Sequence, residues 1–228
     1  MNNIVAIIPI KHVSTRVPGK NFRLMNGKPL YWYIINTLLN VKYISKIIID
    51  TNSPIIFENV PCLFKSQMSK IILYKRPHHL CSGDTPTNDL LMNIMNNVSV
   101  NADYYLQTHV TNPLLKSDTI VDAISCFLKN KDKHDTLFSV KTHHTRFYDK
   151  DGKDMNHDRA VLIPTQELDP IYEENSCIYI FTKDSLEKHK ARISPNAYLY
   201  PMSDMESQDI DWEEDFILTE TIMAVNNR

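Results

Sequence analysis

The sequence is poor in cysteine and glycine, and each shortage argues against a class of protein. Its 228 residues include four cysteines and four glycines. The cysteines are scattered, at Cys62, Cys81, Cys126 and Cys177. Because no CxxC pair occurs, a disulfide scaffold or a structural zinc site is disfavoured, and reduced thiols in a cytosolic protein are expected. Neither a GxGxxG nor a GxxxxGKS/T motif is present, so the Rossmann and P-loop modes of nucleotide binding do not apply.

The chain also lacks an excess of charge and a long apolar run. Its formal net charge is −2, so the overall electrostatic field gives no reason to expect nucleic-acid binding. The apolar run Ile4 to Ile10 is far shorter than the roughly 18 residues of a membrane span. No basic leader or cleavage site accompanies it. We therefore expect a cytoplasmic protein that binds neither nucleic acid nor membranes.

Strand-like and helix-like segments alternate through residue 140, which predicts an α/β protein with a parallel sheet. Short β-branched runs predict strands at 4–10, 46–50, 71–75, 103–110, 136–140, 176–181 and 197–202. Apolar residues at helical spacing predict helices at 30–40, 88–98, 117–130, 185–193 and 211–225. We expect Thr87 or Asn88 to cap the second helix, and Ser117 or Asp118 to cap the third. The length suits one domain with one sizeable core.

Residues 141–170 interrupt this alternation. The segment is polar and only weakly periodic, yet it contains apolar side chains, among them Phe147, Tyr148 and Leu162. We interpret it as an ordered insertion in the single domain, because a disordered linker would lack such residues.

The loop after the first strand is rich in cations, hydroxyls and amides. It carries Lys11, Ser14, Thr15, Arg16, Lys20 and Asn21. In open α/β sheets, ligands bind beyond the carboxyl ends of the strands. Cations and hydrogen-bond donors in such a loop suit a triphosphate. A solvated basic loop is the alternative interpretation.

Two acids, Asp209 and Asp211, lie one residue apart before the last predicted helix. In a strand-like segment, residues two apart project to the same side. Two such carboxylates offer oxygen ligands to Mg²⁺. Taken alone, the pair is more typical of acids that cap a helix. The following acids, Glu213, Glu214 and Asp215, suit the first turn of that helix.

Several segments, in order along nearly the whole chain, resemble the CMP-sugar-acid synthetases, or acylneuraminate cytidylyltransferases. The N-terminal signature is carried by IIPIKHVSTRVPGKNFRLMNGKPL. Within it, Lys20-Asn21 is similar to the sialic acid branch and STRVPGK to the KDO branch. Later motifs of the family are resembled by IIIDTNS, RPHHLCSGDTPTNDLL, QTHVTNPLLKSDTI, QELDPIYEENSCIYIF and SQDIDWEEDF. The resemblance implies a three-layer α/β/α nucleotidyltransferase fold, like that of nucleotide-diphospho-sugar transferases, with a mostly parallel sheet.

The resemblance also implies an activity and a set of site residues. The implied reaction transfers CMP from CTP to the anomeric 2-hydroxyl of an acidic 2-keto sugar and releases pyrophosphate. Mg²⁺ is the implied cofactor, and a homodimer through residues 141–170 is the implied assembly. The implied catalytic residues are Lys20, Asp209 and Asp211, the two acids being the metal ligands. The implied nucleotide-binding residues are Lys11, Ser14, Arg16, Lys20, Asn21, Arg76, Asp84 and Thr87. The implied sugar-binding residues are His109, Gln166, Asn175 and Tyr179.

Departures from the family pattern leave the sugar acid open. They are an extra residue at Gly83, His109 where the sialic acid branch often has Gln, Thr165 where many members have Arg, and Ser176 in place of Gly. Three alternatives therefore remain. They are a KDO-type cytidylyltransferase, a glycosyltransferase of related fold, and a non-catalytic nucleotide-binding module.

Overall fold

Residues 2–226, which the computed structural model describes, form a seven-stranded sheet, a two-stranded hairpin and six α-helices. The strands are β1 (Ile4–Ile10), β2 (Leu24–Met25), β3 (Lys28–Pro29), β4 (Ile44–Thr51), β5 (Ile71–Lys75), β6 (Tyr104–Gln107), β7 (Thr136–His143), β8 (Ile171–Phe181) and β9 (Ala197–Pro201). The helices are α1 (Leu30–Leu39), α2 (Pro54–Leu63), α3 (Thr87–Asn97), α4 (Ser117–Asn130), α5 (Lys183–His189) and α6 (Glu213–Asn226).

The sheet has the strand order β5-β4-β1-β6-β8-β7-β9. Among the strands that the structure describes in this sheet, only β8 runs antiparallel to its neighbours. Every residue of β1 except Pro9 is buried, because the strand pairs in parallel with β4 on one side and β6 on the other. Its continuous apolar sequence is typical of a strand covered on both faces.

Helices cover both faces of the sheet. Alternate β1 residues point to opposite faces, so Ile8 packs with α1, α2 and α4, whereas Ile7 packs with α3 and α5. The predicted three-layer α/β/α arrangement is therefore confirmed. A smaller cluster, in which Ile210, Phe216 and Met223 pack against Met25 and Leu30, fixes α6 against the hairpin β2–β3.

The topology gathers several loops at one edge of the sheet. The carboxyl ends of β1, β4, β5 and β6 meet there, as expected for parallel strands. β8 enters from the same edge, because Gln107 at the end of β6 pairs with Tyr179 in the second half of β8. Residues of β8 that precede Tyr179 therefore extend beyond the end of β6, beside the loop that follows it.

Some predicted elements need correction. Helix α2 (Pro54–Leu63) was not predicted, because only Ile56 and Val60 of its ten residues are buried and Pro61 interrupts the pattern. Pro54 is tolerated because it stands in the first turn, where no backbone N–H partner is needed. The strand predicted at 103–110 ends at Gln107, and the helix predicted at 185–193 ends at His189.

The predicted caps of the second and third helices are wrong. Helix α3 begins at Thr87 itself and α4 at Ser117 itself, so neither residue occupies the preceding cap position. Pro86 and Lys116 stand there, and neither makes a side-chain capping bond. The first N–H groups of both helices therefore receive no hydrogen bond from a side chain at the cap position.

The insertion lies between β7 and β8, at residues 144–170. It contains a bridge between Tyr148 and Asp154 and a 3₁₀ turn at Thr165–Glu167. Leu168 is buried, and the ring of His157 packs edge-on against Tyr148 at 4.8 Å. The segment therefore has local structure of its own, although most of its side chains are exposed.

Candidate active site

A cleft of about 410 Å³ lies at the carboxyl edge of the sheet. Its walls come from the loops after β1, β5 and β6, from the first half of β8 and from the segment before α6. Ten of the predicted site residues line it, namely Lys11, Ser14, Arg16, Lys20, Asn21, Arg76, Thr87, His109, Asp209 and Asp211. Residues from distant parts of the chain thus meet at one site.

Another cavity, of about 460 Å³, lies at the opposite end of β6, against α4 and α5. It is lined by Tyr104 at the start of β6 and by polar residues such as Asp135 and His189. Ligands of open α/β sheets bind at the carboxyl edge. The cleft is therefore the candidate site.

The loop after β1 is folded so that its cations face the cleft. Gly19 adopts the left-handed conformation, with φ at +66°, and a short 3₁₀ turn follows at Lys20–Phe22. This geometry is easy for glycine, and it turns Lys20 and Asn21 inward, where both are buried. The amide of Asn21 donates to the carbonyl of Lys11 at 2.9 Å and ties the two ends of the loop together. Asn21 thus shapes the loop as well as lining the cleft.

The segment holding the two acids is irregular and not a strand, contrary to the expectation. Ile210 between them is buried, and its N–H donates to the carbonyl of Thr111 at 3.0 Å. Asp211 forms ion pairs with Arg16 at 2.7 Å and with Lys20 at 3.9 Å. The Lys20 ammonium also donates to the carbonyl of Ile210. The acids and the loop after β1 are therefore one electrostatic unit.

Helix capping does not account for the two acids. Asp215 accepts from the backbone N–H groups of Asp211 and Trp212, at 2.9 and 2.7 Å. Asp215 therefore supplies the capping contact of α6. Asp209 instead faces Thr111, whose side chain hydrogen-bonds to it. Among the described residues, the Oδ1 atom of Asp209 is buried with no hydrogen-bond partner.

This pair of carboxylates fits a divalent cation. A buried carboxylate oxygen without a partner is costly unless a ligand satisfies it. Burial, with Asp211 nearby adding a second negative charge, raises the pKa of Asp209. Residues 2–226 hold no group of three or more His, Cys, Asp or Glu side chains able to bind a metal. Mg²⁺ is commonly bound by one or two carboxylates, and water and phosphate oxygens fill its other coordination positions. Two carboxylates therefore suit this ion.

Lys20 is the most buried cation of this unit. Its side chain is 10% exposed, against 50% for Arg16. Burial lowers the pKa of Lys20, although the charges of Asp211 and Asp209 oppose that effect. The contacts of this buried ammonium with Asp211 and with the carbonyl of Ile210 hold it in one place. We call Lys11, Arg16, Lys20, Asp209 and Asp211 the cationic group.

Arg76 is held at the cleft by a buried partner. Its Nε donates to Oδ2 of Asp50 at 2.8 Å, and its second guanidinium nitrogen lies 2.7 Å from the same oxygen. Both side chains are at most 4% exposed. Burial raises the pKa of Asp50, and the hydrogen bond from Arg76 opposes that effect. The remaining donors of the guanidinium are left for a ligand in the cleft.

His109 and Ser176 form a second, uncharged part of the lining, which we call the neutral group. Burial lowers the pKa of His109 to about 3, with the positive charges of Arg192 and Lys20 contributing. Ser176 has φ at +58°, a strained conformation for a residue with a side chain. The backbone at Ser176 therefore has a conformation that glycine adopts without strain.

Four predicted site residues do not line the cleft. Asn175 is buried behind it, accepting from Ser139 at 2.6 Å and donating to Ser207 at 2.9 Å. Tyr179 is fully buried, and its hydroxyl donates to Glu174. Asp84 is exposed on the loop before α3, and Gln166 is exposed on the insertion. Their ligand-binding roles stay predictions.

Comparison with known families gives a match over residues 5–222 to the cytidylyltransferases. The chain belongs to this family. A CMP-N,N'-diacetyllegionaminic acid synthase of Legionella pneumophila is 29% identical over 236 residues, covering 98% of this chain and 97% of that protein. An N-acylneuraminate cytidylyltransferase of Streptococcus agalactiae serotype V is 26% identical, covering 93% of this chain and 51% of that protein. The chain thus spans about half the length of some curated relatives.

Solved structures show the same fold. A CMP:2-keto-3-deoxy-manno-octonic acid synthetase complexed with CTP matches with a TM-score of 0.67 at 15% identity, covering 99% of this chain and 100% of that one. A 4-diphosphocytidyl-2C-methyl-D-erythritol synthase from Anaerococcus prevotii matches with the same score at 12% identity, covering 98% of this chain and 96% of that one. The predicted nucleotidyltransferase fold is therefore confirmed.

Several residues of the candidate site were not predicted from sequence. Thr111 lines the cleft, and Asp50, Gln107 and Arg192 support residues that line it. Thr111 lies two residues after His109, in the loop that follows a buried strand. That position alone could have identified it as a candidate site residue. Asp50 ends a buried strand, where a charge needs a partner. No pattern in the neighbouring sequence indicates the role of Arg192, because its partner Gln107 lies 85 positions away.

Proposed function

We propose that this protein transfers CMP from CTP to the anomeric 2-hydroxyl of an acidic 2-keto sugar of the nonulosonic, sialic-acid-like class, releasing pyrophosphate. One observation carries the proposal. The cleft joins a cationic loop to a pair of acids, with Arg16 only 2.7 Å from Asp211. Family membership supports cytidylyl transfer. Relatives named for N-acylneuraminate and diacetyllegionaminic acid support this class of acceptor.

The cationic group suits a triphosphate. Lys11, Arg16 and Lys20 supply three positive charges at the end of β1, where the phosphates of CTP would lie. Transfer of a nucleotidyl group depends on positioning and charge neutralisation more than on covalent catalysis. The hydroxyl oxygen of the sugar attacks the α-phosphorus, and the bond to the bridging oxygen of pyrophosphate breaks. Lys20 is the group that holds the developing negative charge most firmly, because it is buried and fixed.

Mg²⁺ is part of the proposal, with Asp209 and Asp211 as its protein ligands. The partnerless Oδ1 of Asp209 supports this assignment. When bound, the ion would supply positive charge at the α-phosphate and at the attacking oxygen. The protein's share is to orient the two carboxylates. Thr111 does this for Asp209, and the ion pairs with Arg16 and Lys20 do it for Asp211.

The nucleoside is assigned to the wall built by the loops after β5. Arg76, fixed by Asp50, offers its free donors to the cytosine or ribose oxygens. Hydroxyls of Ser82, Thr85 and Thr87 line the same part of the cleft. Their short side chains leave room for a flat base against Leu90.

The decisive experiment is a panel assay. The protein is incubated with CTP, Mg²⁺ and one acid at a time, from N-acetylneuraminic, legionaminic, pseudaminic and KDO acids, and pyrophosphate release is followed. We expect release with at least one nonulosonic acid, none when UTP or GTP replaces CTP, and none when a chelator removes Mg²⁺. Binding of CTP without release for any acid would overturn the enzyme proposal and favour a non-catalytic nucleotide-binding module.

A KDO-type cytidylyltransferase is the second candidate, favoured by the STRVPGK loop. The same panel separates the two candidates. A kcat/KM for KDO at least tenfold above those for the nonulosonic acids would replace the first proposal with the second.

A homodimer through the insertion is also proposed. Exposed apolar side chains in this segment support it, with Leu162 at 81% and Met155 at 58% exposure. We expect a dimer in light scattering of the wild type and a shift to monomer for Leu162→Glu. Leu24→Glu, at an exposed leucine outside the insertion, is the control. An unchanged mass for Leu162→Glu would remove the insertion from the interface.

The cytoplasm is the proposed compartment. All four cysteines, which lie within the described residues, are free, as suits a reducing compartment. None of the helices formed by residues 2–226 has the length and apolar character that a membrane crossing requires. Fractionation with an antibody against the native protein is the measurement that checks the proposed compartment.

A further inference from the structure

A line of hydrogen bonds runs from the neutral group into the interior. It begins at His109, which lines the cleft. Nε2 of His109 lies 2.9 Å from the side-chain nitrogen of Gln107. Gln107 is fully buried, and its amide oxygen accepts from the guanidinium of Arg192. Three side chains from two distant segments therefore form one connected row.

Arg192 fixes the inner end of this row. Its guanidinium lies 3.6 Å from the centre of the Tyr179 ring, and it pairs with Glu174 at 3.3 Å. An aromatic face and a carboxylate together hold a planar guanidinium in one orientation. The side chain is only 16% exposed. Arg192 is thus a rigid donor aimed at Gln107.

The direction of each hydrogen bond follows from the chemistry of arginine. A guanidinium has five donors and no acceptor, so the atom of Gln107 that faces it must be the amide oxygen. The NH₂ group of Gln107 then faces His109, and it also donates to the carbonyl of Thr108 at 3.1 Å. Because an NH₂ group is a donor, Nε2 of His109 must accept and carries no proton. The ring proton therefore lies on Nδ1.

The surroundings also keep the ring neutral. Burial lowers the pKa of His109 to about 3, and the charges of Arg192 and Lys20 act in the same direction. A neutral ring with Nε2 occupied has one nitrogen left for a ligand, and that nitrogen is a donor. The hydroxyl of Ser176, which also lines the cleft, lies 3.3 Å from the Tyr179 hydroxyl, whose single proton goes to Glu174, so Ser176 is the donor in this contact. Its oxygen is left to accept a hydrogen bond from a ligand.

We propose that Arg192 and Gln107 are positioning residues that fix His109 in the Nδ1–H tautomer, so that it donates a hydrogen bond to an oxygen of the sugar acid. The recognised group is an acceptor, such as a carbonyl, hydroxyl or carboxylate oxygen, and not an ammonium or other cation. This inference rests on the proposed transfer to a sugar acid. The tautomer itself is independent of activity.

The first test is spectroscopic. The tautomer of His109 is read from the ¹⁵N shifts of its ring nitrogens in labelled protein at neutral pH. We expect the Nδ1–H tautomer in the wild type. Gln107→Glu is nearly isosteric, but its carboxylate has no donor, so the proton of His109 should move to Nε2 or the ring should become charged. A wild-type ring protonated at Nε2, or a Gln107→Glu ring identical to the wild type, would overturn the relay.

The second test is kinetic. We expect Gln107→Glu and Arg192→Met to raise KM for the sugar acid about tenfold, the value of one directed hydrogen bond, with KM for CTP changed less than twofold. Arg192→Lys, which keeps a donor, should recover part of the loss. Arg159→Met is the matched control, since Arg159 also lies by a tyrosine ring and pairs with an acid, Asp154, but is exposed on the insertion.

The outcomes of the kinetic test are distinguishable. Equal increases in KM for CTP and for the sugar acid, or no recovery in Arg192→Lys, would assign Arg192 a general structural role and overturn its positioning role. If Arg192→Met fails to fold, Gln107→Glu, whose side-chain volume matches the wild type, still tests the relay. If the wild type transfers CMP to no acid, the proposed function fails, and the ¹⁵N measurement still decides whether the relay exists.

Discussion

The cationic and neutral groups of the cleft hold their polar atoms in different ways. Arg16 and Asp211 are half exposed and paired with each other, so an arriving ligand can exchange one ionic partner for another. His109 and Ser176 are uncharged and are fixed by hydrogen bonds to buried residues. Charge attracts any polyphosphate, whereas a fixed donor selects by direction. We propose on this contrast that the cationic group serves the transfer of CMP and that the neutral group discriminates among acceptors.

The largest effect should come from the cationic group. We expect Asp211→Asn to lower kcat by about 10³-fold, because it removes a proposed metal ligand and a partner of Lys20. Its stability should change by less than about 1 kcal/mol, since the Asp211 side chain is 39% exposed and its pair with Arg16 is solvated. Rates are measured by pyrophosphate release and stability by urea unfolding. Glu214→Gln, in the exposed first turn of α6, is the control. Retained turnover would show that this carboxylate is structural.

The Arg76–Asp50 pair should show the cost of breaking a buried contact. Arg76→Met leaves Asp50 charged and buried without its partner, so we expect a loss of about 3–5 kcal/mol in the free energy of unfolding. The exposed pair Arg159–Asp154 gives the comparison, and Arg159→Met should cost less than about 1 kcal/mol. Urea denaturation of both variants measures the difference. Similar losses would show that Asp50 is rehydrated, and Arg76 would then not be rigidly held.

His109 should make stability depend on pH. An unfolded histidine titrates near pH 6.5, whereas the pKa of His109 in the folded protein is lowered to about 3. Between these values the unfolded chain binds the proton and the folded chain does not, so stability falls as the pH drops below 6.5. At pH 5 the loss is about 2 kcal/mol for a fully buried ring, and we expect about 1–2 kcal/mol because the ring borders the cleft.

The measurement for His109 is urea unfolding at pH 7.5 and pH 5, with His109→Gln as the comparison. The wild type should lose more stability between the two pH values than the variant does, because glutamine does not titrate. Equal losses would mean that His109 is protonated in the folded protein near its usual pH. The neutral group would then carry a charge in mild acid, and its contrast with the cationic group would disappear.

Ser176 should give the smallest effect. Its φ of +58° is strained for serine and easy for glycine, so Ser176→Gly should raise the free energy of unfolding by about 0.5–1 kcal/mol. The same change removes a hydroxyl from the neutral group and should raise KM for the sugar acid several-fold. Thermal unfolding and acceptor titrations check the two effects. A less stable variant with unchanged KM would show that the serine is retained for packing and not for recognition.

The sequence predicted most of the strands and helices because these elements depend on local patterns of apolar residues. The run Ile4–Ile10 was predicted as a strand with its observed bounds, since seven consecutive apolar residues have no other stable place than a covered sheet. Helix α4 followed from apolar spacing alone. Helix α2 was missed because it buries only Ile56 and Val60. Where few side chains are buried, the pattern that identifies a helix is too short.

The site residues also fall into those that a local motif identified and those that it did not. Resemblance to a family identified the loop after β1 and the acids Asp209 and Asp211, because short motifs carried them. It also assigned Gln166 and Asp84, which the structure places in solvent and not in the cleft. The contacts that hold the site residues in place could not be predicted from sequence. The Arg192–Gln107 and Arg76–Asp50 contacts join residues 85 and 26 positions apart.

The amino-acid sequence by itself therefore determined the order of the strands and helices apart from α2 and the hairpin β2–β3, the cationic loop after β1 and the acids Asp209 and Asp211, because each depends on neighbouring residues. Only the tertiary structure decided which nitrogen of His109 carries the proton, which acid caps α6 and which carboxylate supports Arg76. These properties depend on the direction of donors and on burial from water. Both arise when segments distant in sequence pack against one another.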